Sequence, residues 1–136
     1  MISATWLIAE DDADIRNLVA ILFKAWGYDL MVFDTGGRVW DWLDSVEAGS
    51  YAGPLPEFAL MDIRMPGKKG NEVAERMRTV APIRNIPIVL MTAFALNADQ
   101  KDNMLKDGVD EIIHKPLPDF DRLRQILQDV IKSKLN

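Results

Sequence analysis

Five polar residues in this chain sit at the carboxyl ends of short apolar runs. Glu10 and Asp11 follow Trp6-Leu7-Ile8-Ala9, Asp62 follows Phe58-Ala-Leu-Met61, Thr92 follows the run ending at Met91, and Lys115 follows Glu111-Ile112-Ile113-His114. Brought to one place, three carboxylates repel one another, and one of them holds a proton unless a cation is present. A hard divalent cation with oxygen ligands relieves that repulsion. Mg²⁺ suits such a site, because it keeps several waters and leaves room for phosphate oxygens. Beside it, Asp62 can act as a nucleophile toward a phosphoryl group and form an aspartyl phosphate. Lys115 and the Thr92 hydroxyl would hold the other phosphoryl oxygens, a division of labour that is mostly positioning and electrostatics.

That chemistry requires elements that deliver all five residues to one edge. Trp6–Ala9 reads as a first strand, and Ile15, Leu18, Val19, Leu22 and Trp26 then follow the spacing of a helix face. Asp12 suits the N-cap of that helix and Gly27 its end. Leu30–Phe33 reads as a second strand. After the Gly36-Gly37 turn, Val39, Trp40, Leu43 and Val46 mark a second helix, with Trp42 expected to be partly exposed. A loop over 49–56 leads to the strand Phe58–Met61, and Met65-Pro66-Gly67 is a strong turn signal. Val73, Met77 and Val80 are spaced for a helix from about Gly70-Asn71 that stops by Pro82. Ile86–Met91 is a fourth strand. Leu96 to Leu105 is a helix with a thin apolar face, expected to be the least firmly packed, and Gly108 stops it. Glu111–Ile113 is a short fifth strand, and Phe120, Leu123, Leu127, Val130 and Ile131 form the last helix face.

Five strand–helix units in succession imply a parallel sheet with helices on both faces. Right-handed crossovers favour the flavodoxin-like, doubly wound order 2-1-3-4-5, a three-layer α/β/α sandwich. In that order strands 1, 3, 4 and 5 are neighbours, and all strand carboxyl ends lie on one edge. Glu10, Asp11, Asp62, Thr92 and Lys115 then share one shallow pocket.

Composition excludes other classes. The 136 residues suit one domain with one sizeable core, expected here over 1–136. A net charge of −5 gives no general electrostatic footprint for nucleic acid or an anionic membrane. No cysteine is present, so disulfides, thiolate metal sites and cysteine nucleophiles are out, in agreement with a reducing cytoplasm. No apolar run approaches the roughly 18 residues of a membrane helix, and the start lacks the basic and apolar regions of a signal peptide. His114 is the single histidine, which leaves no support for Ser–His–Asp chemistry or a multi-histidine metal site.

Each residue also has a plainer reading. Asp62 alone can start a turn, Thr92 can serve the turn before the fourth helix, and Lys115 can simply pair with Asp62 or Asp11. Asp12 and Asp14 are explained by the helix N-terminus they precede. Glu10 and Asp11 are not, because they fall before the cap.

Taken together, Glu10-Asp11 after strand one, Asp62-Ile-Arg-Met-Pro-Gly after strand three, Thr92-Ala93 after strand four and Lys115-Pro116 after strand five resemble the receiver domain of bacterial two-component response regulators. The resemblance covers essentially the whole chain in order and spacing. It implies that Asp62 is the phosphoacceptor, charged by a histidine kinase or histidine phosphotransfer protein. It implies that Asp11 binds Mg²⁺ directly, Glu10 largely through water, and the main-chain carbonyl of Arg64 as the remaining protein ligand beside Asp62. Thr92 and Lys115 would contact the phosphoryl group. Phosphorylation would draw the threonine inward and remodel the face of helix four, strand five and helix five toward a downstream protein partner or output domain. Such a domain assists its own phosphorylation and dephosphorylation but is not a turnover enzyme.

Three features depart from the family pattern. Ile112 stands three residues before the lysine, where the family often has Tyr or Phe as the threonine's rotating partner. Arg64 and Phe94 fill variable positions flanking the pocket, where Phe94 is expected to shield the acyl phosphate from water. The chain ends soon after the last helix face, so it is either a stand-alone receiver or an excised piece, with a homodimer left open. The competing functions are a phosphorylation-independent interaction module, an aspartyl-phosphate hydrolase and a flavin or dinucleotide binder. Arg64 stands where the hydrolase needs a second Asp, and strand one leads into acids rather than the glycine-rich phosphate loop of a nucleotide site.

Overall fold

Unbroken apolar runs are what a strand buried on both faces requires, and the strands form accordingly. The structure, a computed structural model, describes residues 4–135; residues 1–3 and 136 of the expected domain lie outside the described residues. In chain order the elements are β1 (Thr5–Ala9), α1 (Ala13–Ala25), β2 (Asp29–Phe33), α2 (Gly36–Glu47), β3 (Phe58–Asp62), α3 (Gly70–Met77), β4 (Ile88–Thr92), α4 (Ala98–Lys106), β5 (Glu111–His114) and α5 (Phe120–Leu135). A short 3₁₀ turn, Ala81–Ile83, follows α3. The strands are parallel in the expected order β2-β1-β3-β4-β5.

Alternation along each strand splits the core into two layers. Trp6, Ile8, Phe58, Leu60, Val89, Met91 and Ile113 pack with α1 and α5. Leu7, Ala9, Ala59, Met61, Ile88, Leu90 and Ile112 pack with α2 and α3. Ile112 is buried in this second layer. Trp6 is the centre of an aromatic cluster, stacked on Tyr28 at 3.7 Å and edge-on to Phe23 at 4.8 Å between ring centroids.

Several expectations about faces and boundaries need correction. Trp42 is buried, in contact with the rings of Phe33 and Tyr51, whereas Trp40 is only half-buried. Trp40 lies at the edge of the core on α2, where two cations, Lys68 and Arg76, flank its ring at 4.3 and 4.5 Å. On α1, Phe23 is fully buried and Leu18 exposed. The Phe23 ring reaches Trp6 of β1 and Phe58 of β3, a demand that helical spacing alone does not reveal. Phe120 opens α5 but is exposed. β4 starts at Ile88 rather than Ile86, since Pro87 has no N–H to give the ladder and offers only its carbonyl, which accepts from the Ala59 N–H at 3.0 Å. As expected of its thin apolar face, α4 contributes no fully buried side chain.

Two glycines shape the edge that carries the polar residues. Gly67 has φ +84°, the left-handed conformation that completes the Met65-Pro66-Gly67 turn. At Gly70 a Cβ would collide with the main-chain carbonyl of Asp62, and its N–H donates to the Ile63 carbonyl at 2.8 Å. Only glycine lets α3 begin this close to the end of β3.

Candidate functional site

Each site residue is placed by the element before it. Asp62 is the last residue of β3, where the next amide, Ile63 N–H, still donates to the Met91 carbonyl of β4 at 2.9 Å. The sheet therefore holds Asp62 up to its last peptide. Glu10 follows β1, with its N–H bound to the Phe33 carbonyl of β2 at 3.1 Å. Lys115 follows β5, with its N–H bound to the Thr92 carbonyl at 2.7 Å. After Asp11 the chain turns into α1, where the Asp12 carboxylate caps the N–H groups of Asp14 and Ile15 at 2.9 and 3.1 Å.

The carboxylates of Glu10, Asp11 and Asp62 each present an oxygen within 4.8 Å of the others. Glu10 is fully buried and Asp62 nearly so, while Asp11 is exposed. The Lys115 ammonium bridges the two buried acids, donating to Glu10 Oε1 at 2.5 Å and Asp62 Oδ2 at 3.3 Å. The second Glu10 oxygen, Oε2, is buried without a hydrogen-bond partner. Burial first, and the neighbouring Asp62 carboxylate second, push the Glu10 pKa up to about 8, with Lys115 opposing the rise. Burial would lower the pKa of Lys115, but Glu10 and Asp62 together hold it above the ordinary lysine value. One carboxyl of the buried pair therefore carries a proton at neutral pH when no cation is bound. An orphaned buried carboxylate oxygen within a set of three acids fits a hard divalent cation with oxygen ligands.

The other expected residues are arranged differently. Thr92 closes β4 and is buried, its hydroxyl accepting the Phe94 N–H at 3.0 Å within its own turn. Arg64 is exposed and turns its guanidinium over the Phe94 ring, 3.8 Å from the centroid. His114 points outward, as expected. Arg16 is a residue that sequence reasoning passed over. From the second turn of α1 it reaches back to the main chain of Glu10 and Asp11. Its only signal was an arginine one turn after an N-cap, directly behind two acids.

Residues 6–128 match the response regulator receiver domain family. The chain is 37% identical over 129 residues, 93% of its length, to the sensor protein GacS of Pseudomonas syringae pv. syringae, covering 13% of that protein. It is 28% identical over 111 residues to the polar-differentiation response regulator DivK of Brucella ovis, covering 82% of this chain and 83% of DivK. Among solved structures it is similar to the receiver domain of a sensor histidine kinase from Pseudomonas aeruginosa PAO1, with TM-score 0.75, 26% identity, and coverage of 96% of this chain and 99% of that one. That structure holds a magnesium ion in its active-site cleft. The chain spans between 7% and 47% of the length of three curated relatives, GacS included. This chain belongs to the response regulator receiver domain family. It is a phosphoacceptor signalling domain of the two-component type. Among the described residues no helix is long and apolar enough to cross a membrane.

Proposed function

We propose that Asp62 is the phosphoacceptor and that Glu10, Asp11, Asp62 and the main-chain carbonyl of Arg64 hold Mg²⁺, with Asp11 a direct ligand and Glu10 acting largely through water. The observation that carries this reading is the cluster at the sheet edge, in which three carboxylates, two of them buried, converge within 4.8 Å and one ammonium bridges the buried two. When bound, the cation neutralises charge on the equatorial phosphoryl oxygens.

The chain's own residues supply the rest. An Asp62 carboxylate oxygen attacks phosphorus, a P–O bond forms, and the P–N bond to the donor phosphohistidine breaks with its electron pair returning to the imidazole. The donor is a histidine kinase or a histidine phosphotransfer protein. Lys115, already 3.3 Å from Asp62, shifts its donors to a phosphoryl oxygen. The Thr92 hydroxyl accepts the Phe94 N–H and commits its own proton only to a long 3.5 Å contact with the Phe94 carbonyl, which a phosphoryl oxygen can replace. Turning Thr92 toward the phosphoryl group loosens the Phe94 turn and passes the change to α4, which has no fully buried side chain to resist it. With Ile112 buried where an aromatic switch would rotate, this loop carries the signal to the face of α4, β5 and α5 and so to a downstream partner or output domain. Water attack on phosphorus later releases inorganic phosphate and restores Asp62. Phe94, with Arg64 laid over it, shields the acyl phosphate. The domain works in the cytoplasm.

Intact-protein mass after incubation with acetyl phosphate and Mg²⁺ tests the reading. One phosphoryl adduct is expected, lost with EDTA and lost in Asp62→Asn. An adduct that survives in Asp62→Asn would refute Asp62 as acceptor, and no adduct at all would refute the chemistry.

A further inference from the structure

Arg16 is half-buried on α1 and extends back over the loop that leaves β1. Its Nη1 donates to the Glu10 carbonyl at 2.9 Å and reaches the Asp11 carbonyl at 3.4 Å. Both partners are main-chain oxygens, not carboxylates. Its own main-chain N–H donates to the Asp12 carbonyl at 2.9 Å. Three consecutive carbonyls, from Glu10 to Asp12, are therefore held by one residue. From the other side, the Glu10 N–H is tied to β2. Yet the Asp11 side chain is exposed, while its oxygen stays within 4.8 Å of those of Glu10 and Asp62. An exposed carboxylate among like charges drifts outward unless its backbone is fixed.

We infer that Arg16 is a positioning residue for the cation site: it fixes the main chain of Glu10 and Asp11 so that the Asp11 carboxylate stays aimed at Asp62. This rests on the proposed Mg²⁺ site. Two effects of Arg16 oppose each other there, which makes the sign of the outcome decisive. Its positive charge repels a cation, so its removal on electrostatic grounds alone would tighten Mg²⁺ binding. Its hydrogen bonds order the loop in advance, so their removal makes the cation bear the cost of ordering and weakens binding. The geometry favours the second effect, because the guanidinium is aimed at carbonyl oxygens of the ligand-bearing loop.

The test is Mg²⁺ affinity, read by competition against Mn²⁺ followed by electron paramagnetic resonance, in wild type, Arg16→Ala, Arg16→Gln, Arg16→Lys and Asp11→Asn. Thermal melts in EDTA run alongside as a check on folding. Both neutral variants are expected to bind roughly tenfold more weakly, the scale of ordering about one residue's backbone. Arg16→Lys, which keeps the charge and an ammonium donor group but not the planar fork, is expected to fall between them and wild type. Should Arg16→Ala fail to fold, Arg16→Gln carries the comparison, since it keeps part of the stem and the polar end. Unchanged or tighter binding in the folded neutral variants, with Asp11→Asn impaired, would overturn the role of Arg16 and leave the cation site standing. Wild type that binds no better than Asp11→Asn would overturn both.

Discussion

Glu10→Gln should stabilise the cation-free protein, and the gain should grow with pH. Glu10 is fully buried, one of its oxygens has no partner, and Asp62 lies beside it. Burial and that neighbour raise its pKa from 4.5 to about 8. A raised acid binds its proton more tightly in the folded chain than in the unfolded one. Between pH 4.5 and about 8 the folded state therefore holds more protons, and stability falls as pH rises through this window. At 1.36 kcal/mol per pH unit, the limit of the loss by pH 8 is about 5 kcal/mol. Local relaxation and water entry at a sheet edge reduce it, and we expect about 2–3 kcal/mol. Gln keeps the shape, can still accept from Lys115, and places no second negative charge beside Asp62. Urea denaturation in EDTA at pH 5, 6, 7 and 8 reads the effect. The two proteins should be similar at pH 5 and diverge by about 2–3 kcal/mol at pH 8. Mg²⁺ should recover much of the wild-type loss and little of anything in the variant. Parallel stability curves across the range would refute the claim that Glu10 is held protonated by its surroundings.

Two further perturbations probe the pocket rim and the far end of the sheet. Phe94→Ala removes the ring under Arg64, an exposed cation–π contact worth about 0.5–1 kcal/mol. The acyl phosphate should hydrolyse about two- to fivefold faster, measured as decay of the phosphorylated mass after donor removal; an unchanged rate would sink the shielding role. Arg78 donates to the carbonyls of Gly108, Arg84 and Ile86 and to Asp110, whose carboxylate also accepts the Ile88 N–H. Arg78→Ala strips that largely buried latch and should cost about 3–5 kcal/mol in urea denaturation while leaving Mg²⁺ affinity unchanged. A loss below about 1 kcal/mol would show that Lys134, 3.1 Å from Asp110, suffices to hold it.

The central strands were legible because burial on both faces leaves an uninterrupted apolar run, as in Phe58–Met61, and the sheet order follows from their alternation with helices. The edge strand β2 was blurred at its start, since Asp29 belongs to it while being exposed. Helix faces were less legible. Phe23 and Trp42 are buried by aromatic contacts from outside their own helices, which local periodicity does not record. In the site, the acids and Lys115 stood out because a charge at the end of an apolar strand has few plain explanations. The local engagement of Thr92 with Phe94, the stacking of Arg64 on that ring and the reach of Arg16 to two carbonyls did not. These depend on side-chain direction in loops, where no repeating pattern exists.

The location of the phosphoryl group can be read by reducing the phosphorylated protein with borohydride, which converts an aspartyl phosphate to homoserine, and mapping the change by peptide mass spectrometry. Homoserine at position 62 alone, and none in samples phosphorylated in the presence of EDTA, is the expected result. Homoserine at position 11 or 12 instead, or a phosphoryl group that resists reduction because it sits on a hydroxyl, would contradict Asp62 as the acceptor.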